Sequence, residues 1–514
     1  MGESARILAG LLALVLVPAA AEAKARFEKQ DIGVPGHILW LDWGDLDADG
    51  AVDLVVSYRR GLGPEAQRFL AVFFRSERGF ASRPDLMLVA PTGSAIFDVG
   101  DALPSAGEEI VYLTRFGVFA QSLSGRRPAP PVSILRTRTI LGAPEEEDLV
   151  RWDFLRPLVA KGPEHLVIPT RASLEIHRRE PTANAAWKRI ARIAIPQHSF
   201  YDAESQTFKQ GRRGGAGGRP FSLRVTTIVP TLTFADQTGD GQPDLITTFE
   251  DRVAVYPMRA DGTLSSTASF QRWLQLLTPD EQASRDTEIS LDVVDVDGDG
   301  IADVSASKIG GGITNIHSET RIYGGIKGGG LTNAPLQVFK DDGFAVLVRY
   351  TDLDGDGKVE MVHPYVTVSL LAMSQVFVTG KFGLDLRIRR ASAGNGRVFA
   401  PSPAQTIETV FGLDFSTGGG MRGMAPIHGI DFDRDGRPDL MLSQGAERME
   451  LHRGQPGDEP FDDDAALTIT APISRETYAV PRHASGAPGT DIVIAYVDHP
   501  KLVGKLTVLL DKSE

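Results

Sequence analysis

The sequence predicts an all-β fold, a β-propeller with eight blades favoured over seven. Three observations carry that prediction: a nine-residue acidic pattern occurs five times, each copy runs into an apolar strand-like segment, and the copies recur at intervals suited to a four-stranded unit. The pattern has aspartate at position one, oxygen-bearing side chains at three and five, glycine at six and a carboxylate at nine. Its copies are Asp45 to Asp53, Asp236 to Asp244, Asp295 to Asp303, Asp352 to Glu360 and Asp431 to Asp439.

Leu54-Val55-Val56, Leu245-Ile246-Thr247, Val304-Ser305-Ala306, Met361-Val362 and Leu440-Met441-Leu442 follow position nine, and their apolar, β-rich character reads as strand. Apolar stretches such as His37 to Trp43 and Ala345 to Tyr350 precede position one, so each loop joins two strands of one sheet. With the acidic requirement relaxed, eroded copies emerge around Glu109, His165 and Asp491. The eight anchors are then spaced near sixty residues, with two longer steps. A unit of that length cannot bury both faces alone and must pack against neighbours, as propeller blades do. A strand near Phe27 is expected to complete the last blade. The longer steps suggest insertions at about 197–220 and 381–422 within a single propeller domain, 24–514.

Residues 1–23 read as a secretory signal, with Arg6, an apolar run from Ile7 to Val17 and the Ala21-Glu22-Ala23 cleavage site. The chain has no cysteine, which excludes a lipidated cysteine and disulfide staples, and no later apolar run is long enough to span a bilayer. A secreted or periplasmic protein is expected. The net charge of −13 consists largely of the proposed metal ligands and argues against nucleic-acid binding.

Candidate ligands are Asp45, Asp47, Asp49 and Asp53 with the carbonyl of Ala51, and Asp236, Thr238, Asp240 and Asp244 with that of Gln242. The others are Asp295, Asp297, Asp299 and Asp303 with Ile301, Asp352, Asp354, Asp356 and Glu360 with Lys358, and Asp431, Asp433, Asp435 and Asp439 with Arg437. A hard, all-oxygen set without His or Cys suits calcium and disfavours zinc or copper. An EF-hand would need glutamate at position twelve, where Val56, Ala306, His363 and Leu442 stand instead. Four to five structural calcium ions are therefore expected.

The pattern Asp-x-Asp-x-Asp-Gly-x-x-Asp-Leu in units of this length resembles the FG-GAP/VCBS repeats of the α-integrin propeller and of bacterial secreted proteins. Phe116-Gly117, Phe382-Gly383 and Phe411-Gly412 echo the name's dipeptide. The resemblance implies calcium in the matching loops and a propeller that works as an interaction platform. It does not carry integrin function, since no membrane anchor or Arg-Gly-Asp ligand is seen.

Two short matches to enzyme motifs, Ser305-Ala306-Ser307-Lys308 and Gly418 to Gly423, lack the context their chemistry needs and are read as chance. His165, His177, His363 and His452 lie beside apolar strand residues and read as structural. The basic segments offer Arg212, Arg213, Arg219, Arg389 and Arg390 as candidate contacts to an acidic glycan. The expected function is non-catalytic binding of an extracellular or envelope protein or a glycan; a calcium-dependent polysaccharide lyase of eight-bladed type is the alternative.

Overall fold

Five residues that open a strand at position nine are almost fully buried, and so are the residues after them. Asp53–Arg60, Asp244–Phe249, Asp303–Gly310, Glu360–Val366 and Asp439–Ser443 bury side chains of both faces. A strand of an antiparallel sheet is apolar on both sides only when another layer covers each face. Those layers are the neighbouring blades.

A computed structural model describes residues 26–512 apart from 62–65, 142–148, 159–161, 181–185, 195–199, 203–223, 227–228, 285, 312–315, 346–347, 367–375, 377, 393–396, 415–419, 485–488, 498 and 500. The secretory signal expected at 1–23 lies outside the described residues, as do Arg212, Arg213 and Arg219.

Blade 1 comprises His37–Gly44, Asp53–Arg60, Gln67–Phe73 and Leu86–Val89; blade 2 comprises Ser94–Gly100, Glu109–Thr114, Gly117–Gln121 and Val132–Arg136. Blade 3 is Leu155–Pro157, Glu164–Pro169, Ser173–Arg179 and Trp187–Ala194, and blade 4 is Thr231–Ala235, Asp244–Phe249, Arg252–Tyr256 and Phe270–Trp273. Blade 5 is Glu288–Val294, Asp303–Gly310, His317–Tyr323 and Gln337–Asp341. Blade 6 is built on Arg349–Thr351, Glu360–Val366, Lys381–Arg389 and Gln405–Asp414, with Phe344–Ala345 and Gly420–Arg422 added. Blade 7 is Ile427–Ile430, Asp439–Ser443, Arg448–His452 and Leu467–Thr470. Blade 8 takes Glu476–Pro481, Thr490–Ala495 and Lys505–Asp511 from the end of the chain and Phe27–Gly33 from its start. Phe27 pairs with Asp511 and Gly33 with Lys505, so the N-terminal strand completes the last blade as the sequence suggests.

The core confirms a closed ring of eight. Among the described residues there are eight clusters of buried apolar side chains, and each straddles two adjacent blades. Val56 and Phe73 of blade 1 meet Val493 and Val508 of blade 8 in one of them. Burial of this kind is the main stabilising term, at roughly 25 cal/mol per Å² of apolar surface.

The two longer steps have different origins. The first holds a separate two-stranded ribbon, Phe200–Asp202 with Arg224–Thr226. The second, read from sequence as an insertion, supplies blade 6 with its own third and fourth strands. Its arginines suggest a loop, but Leu384, Leu386 and Ile388 alternate with them and point into the core. Val150–Arg151 runs parallel to the first strand of blade 2 and brings Arg151 within 3.4 Å of Asp42 and 3.7 Å of Asp98 on the first strands of blades 1 and 2.

Candidate metal centres

Each acidic loop links the first and second strands of its blade, with position nine paired to the last residue of the first strand: Gly44 to Asp53, Ala235 to Asp244, Val294 to Asp303, Thr351 to Glu360 and Ile430 to Asp439. The carboxylate at position one turns the chain by accepting the amide of the glycine at position six, at 2.7–3.0 Å in all five loops. Position five accepts the amide of position seven at 2.8–2.9 Å, which fixes Ala51, Gln242, Ile301, Lys358 and Arg437 against it. At position six the glycines have φ between 84° and 90°, yet an added Cβ would meet nothing within 4 Å. Backbone conformation, and not crowding, demands glycine there. Position four is also left-handed: glycine fills it in three loops, whereas Ala48 and Arg434 adopt φ of 67° and 65°.

Position nine has a second task. One oxygen of Asp53, Asp244, Asp303, Glu360 and Asp439 accepts the amide of position two at 2.8–3.1 Å. In four loops the other oxygen accepts an amide two residues beyond the third strand, from Arg75, Met258, Gly325 or Gly454, at 2.6–3.0 Å. This carboxylate thus pins the loop to the third strand. Nothing in the composition of the third-strand exits marks them as partners, so the pattern shows only half of the contact.

Ligand atoms of three carboxylates lie within 4.8 Å of one another in each of four loops: Asp45, Asp47 and Asp53; Asp295, Asp297 and Asp299; Asp352, Asp354 and Asp356; Asp431, Asp433 and Asp439. Positions one and three belong to every cluster, joined by five in two loops and by nine in the other two. Burial, reinforced by neighbouring aspartates, pushes Asp53, Asp303 and Asp439 up to about 7, and burial raises Glu360 to about 6. Carboxylates so placed are costly to ionise without a counter-charge, and a divalent cation supplies one. Among the described residues the Asp236 loop forms no such cluster, and the Thr238 hydroxyl at its position three is buried without a hydrogen-bond partner.

Arginines already stand beside position three. Arg126 Nε lies 2.6 Å from Asp47 and Arg453 Nε 3.0 Å from Asp433, while Arg390 pairs with Asp354 and donates to the Gly457 carbonyl at 2.9 Å. For Arg389 and Arg390 the expected basic rim is corrected by this geometry, while Arg212, Arg213 and Arg219 lie outside the described residues. Arg390 belongs to a loop, and Arg389 is 5% exposed, its guanidinium 4.9 Å from the Phe339 ring centroid and 3.1 Å from His363 Nδ1. A side chain pointing into an interface between blades cannot meet a glycan.

The loops also fasten blades together. The amide just before position nine donates to the previous blade in three places: Val52 to Arg482, Glu108 to Asp45 and Ala302 to Asp236, at 2.7–3.0 Å. The Glu108 and Glu164 carboxylates return the contact, accepting the amides of Asp45 and Asp101 at 2.8 and 2.6 Å.

Residues 236–306 run from one acidic loop through the next and match the FG-GAP-like repeat family. The propeller carries an FG-GAP-like repeat. The match begins at position one of the blade 4 loop and ends within the second strand of blade 5, so the matched segment spans parts of two blades. Phe382 and Phe411, from two of the dipeptides noted above, pack with ring centroids 6.5 Å apart.

The chain is similar to a solved lectin from Agrocybe aegerita, described for specific recognition of non-reducing terminal N-acetylglucosamine, at 14% identity and a TM-score of 0.37 over 86% of this chain and 90% of that one. It is also similar to BBS1N in complex with ARL6DN, at 8% identity and a TM-score of 0.35 over 95% and 97% of the two chains. No curated protein matches the chain.

In the eroded loops, arginine takes a place beside the acids. Asp101 is held by both Arg179 amino nitrogens at 2.7 and 2.8 Å, and Asp491 is paired with Arg75. The motif matches keep their structural reading. Ser305 is buried and accepts the Tyr350 hydroxyl at 2.6 Å, while the Lys308 ammonium sits 2.9 Å from Glu281. Gly420–Arg422 is strand, not the start of a helix. His165, His177, His363 and His452 are all at most 6% exposed.

Proposed function

We propose that this FG-GAP-like propeller is a secreted or periplasmic, calcium-stabilised platform that binds a protein or glycan partner without acting on it chemically. The observation that supports calcium most directly is the recurrence of three converging carboxylates at equivalent positions of four blades. Asp45, Asp47 and Asp53, and their counterparts in blades 5, 6 and 7, would hold the ions, and the Asp236 loop would add a fifth through Thr238. Bound calcium supplies positive charge where acidic side chains converge and so ties each loop to its blade. A propeller offers rigid ends carrying many loops, an arrangement suited to recognition.

The test is made on the purified protein. Metal content is measured by mass spectrometry, the melting temperature is recorded in chelator and in millimolar calcium, and partners are pulled down from the native envelope in both conditions. Four to five calcium ions per chain, a higher melting temperature with calcium, and partners retained only with calcium are expected. A metal-free protein that melts identically in both solutions would end the calcium reading.

A further inference from the structure

We infer that the cleft between blades 4 and 5, at the end of the propeller opposite the acidic loops, is a binding site for a neutral saccharide. The inference rests on the platform reading and gives it a place and a ligand class. Glu250 and Asp251 turn the chain between the second and third strands of blade 4, so the length of Asp244–Phe249 separates them from the acidic loop. Across from them, the chain leaving Trp273 enters a short helix, Pro279–Ser284, before blade 5 begins. The space enclosed is about 910 Å³ and open to solvent.

Its lining combines one aromatic plane with hydrogen-bonding groups. Trp273 is 45% exposed, and Glu250, Asp251, Gln275, Gln282 and Thr287 share the walls with it. A pyranose has C–H faces that pack on an indole and a rim of hydroxyls that need acceptors and donors, and this lining offers both. Charge narrows the class. Glu250, Asp251 and Glu281 line the cleft, and among the described residues no lysine, arginine or histidine does. Lys308 offsets Glu281 at 2.9 Å, which leaves Glu250 and Asp251 as the other acids of the lining. Uronates and sulfated sugars would be repelled, whereas neutral hydroxyls can donate to carboxylates.

The walls are held in place. Thr278 and Glu281 cap the helix reciprocally, the Thr278 amide donating to Glu281 at 2.7 Å and the Glu281 amide to the Thr278 hydroxyl at 3.3 Å. The Leu274 amide donates to the Asp251 carbonyl at 2.8 Å, which ties the two sides of the cleft together. Arg252, held by Gln271 at 2.7 Å, lies 5.8 Å from the Trp273 ring centroid. Strained backbone marks the same place. Of the five non-glycine residues with positive φ among the described residues, Ala48, Arg126 and Arg434 belong to or touch the acidic loops, and Glu250 and Gln275, at 50° and 53°, line this cleft. Such strain persists where the surroundings hold a particular shape.

The test uses the full calcium-loaded chain on an array of neutral hexose and N-acetylhexosamine oligosaccharides with uronic-acid oligosaccharides alongside. The best neutral ligand is then titrated against wild type, Trp273→Ala, Trp273→Phe and, as a control, Trp40→Ala, which removes another exposed indole. Binding of a neutral sugar that weakens roughly tenfold or more in Trp273→Ala, is partly kept in Trp273→Phe and is unchanged in Trp40→Ala supports the site. Equal affinity in Trp273→Ala, preference for uronates, or no neutral sugar bound overturns it. If no neutral sugar binds while the envelope pull-down still yields a calcium-dependent partner, only this site falls; if both fail, the platform reading falls with it.

Discussion

Positions five and nine of the acidic loops are both carboxylates, but their surroundings give them different duties. Asp299 is exposed and shares its cluster with Asp295 and Asp297, whereas Asp303 is buried and accepts the Val296 and Gly325 amides at 2.9 and 2.6 Å. Asp299→Ala should therefore lower the calcium-induced rise in melting temperature and leave the metal-free value almost unchanged. Asp303→Asn should lower both, because an amide group would face a buried N–H donor, at a cost of about 1–3 kcal/mol. Thermal melts of the two variants with and without calcium check this. His363 gives a pH-dependent prediction. Burial, with Arg389 beside it, depresses its imidazole to about 3, and Arg389 donates to its Nδ1 at 3.1 Å. Since the unfolded chain takes up this proton near pH 6.5 and the folded chain does so only near 3, stability present above 6.5 is lost as pH falls through that window. His363→Gln, an uncharged replacement, should flatten the fall in urea midpoint between pH 7 and pH 4. At this scale the repeated aspartates were legible because their spacing is written in consecutive residues. The amide at each third-strand exit was not, because the contact depends on pairing between strands. Arg389 reads as surface charge because a single sequence does not show which face of a strand meets the next blade, and Arg390 because its partner Asp354 lies 36 residues away.

Elements join through contacts that act across blades. Arg75 leaves the third strand of blade 1 and pairs with Asp491 at the second strand of blade 8, with both side chains almost fully buried. Arg75→Met should destabilise the fold by about 3–5 kcal/mol, since it leaves a carboxylate buried without its partner. The double change Arg75→Met with Asp491→Leu should recover much of that loss, and denaturant titration of the three variants tests both statements. The strands themselves were legible: Glu109 opens the second strand of blade 2, and the blade 3 strand starts one residue before the anchor His165. Blade 6 was less so, because its third and fourth strands alternate apolar residues with arginine and threonine. The helix Pro279–Ser284 carried a signal that the strand periodicity obscured, the Thr278-Pro279-Asp280-Glu281 sequence that places a capping threonine, a proline and a glutamate in the right order.

For the whole molecule, eight interfaces in a ring make each blade depend on two others. Removal of residues 26–34 would uncover Lys505–Asp511 as a sheet edge and take Ile32 and Val34 from the cluster shared by blades 1 and 8. Such a truncation should lower the melting temperature sharply and promote association, and size-exclusion chromatography with thermal melts would show it. Spacing favoured eight blades over seven because even eroded loops keep an acid near the start of a buried strand.

Thr507 donates to Asp31 across 476 positions of sequence, and the strand that contains Asp31 precedes every other strand of the propeller. During synthesis that strand has no mate, and its place beside Lys505–Asp511 does not exist until the seven intervening blades have been made. The native topology is therefore reached last at the seam, and anything that engages the leading end in the meantime delays the moment at which the circle can shut.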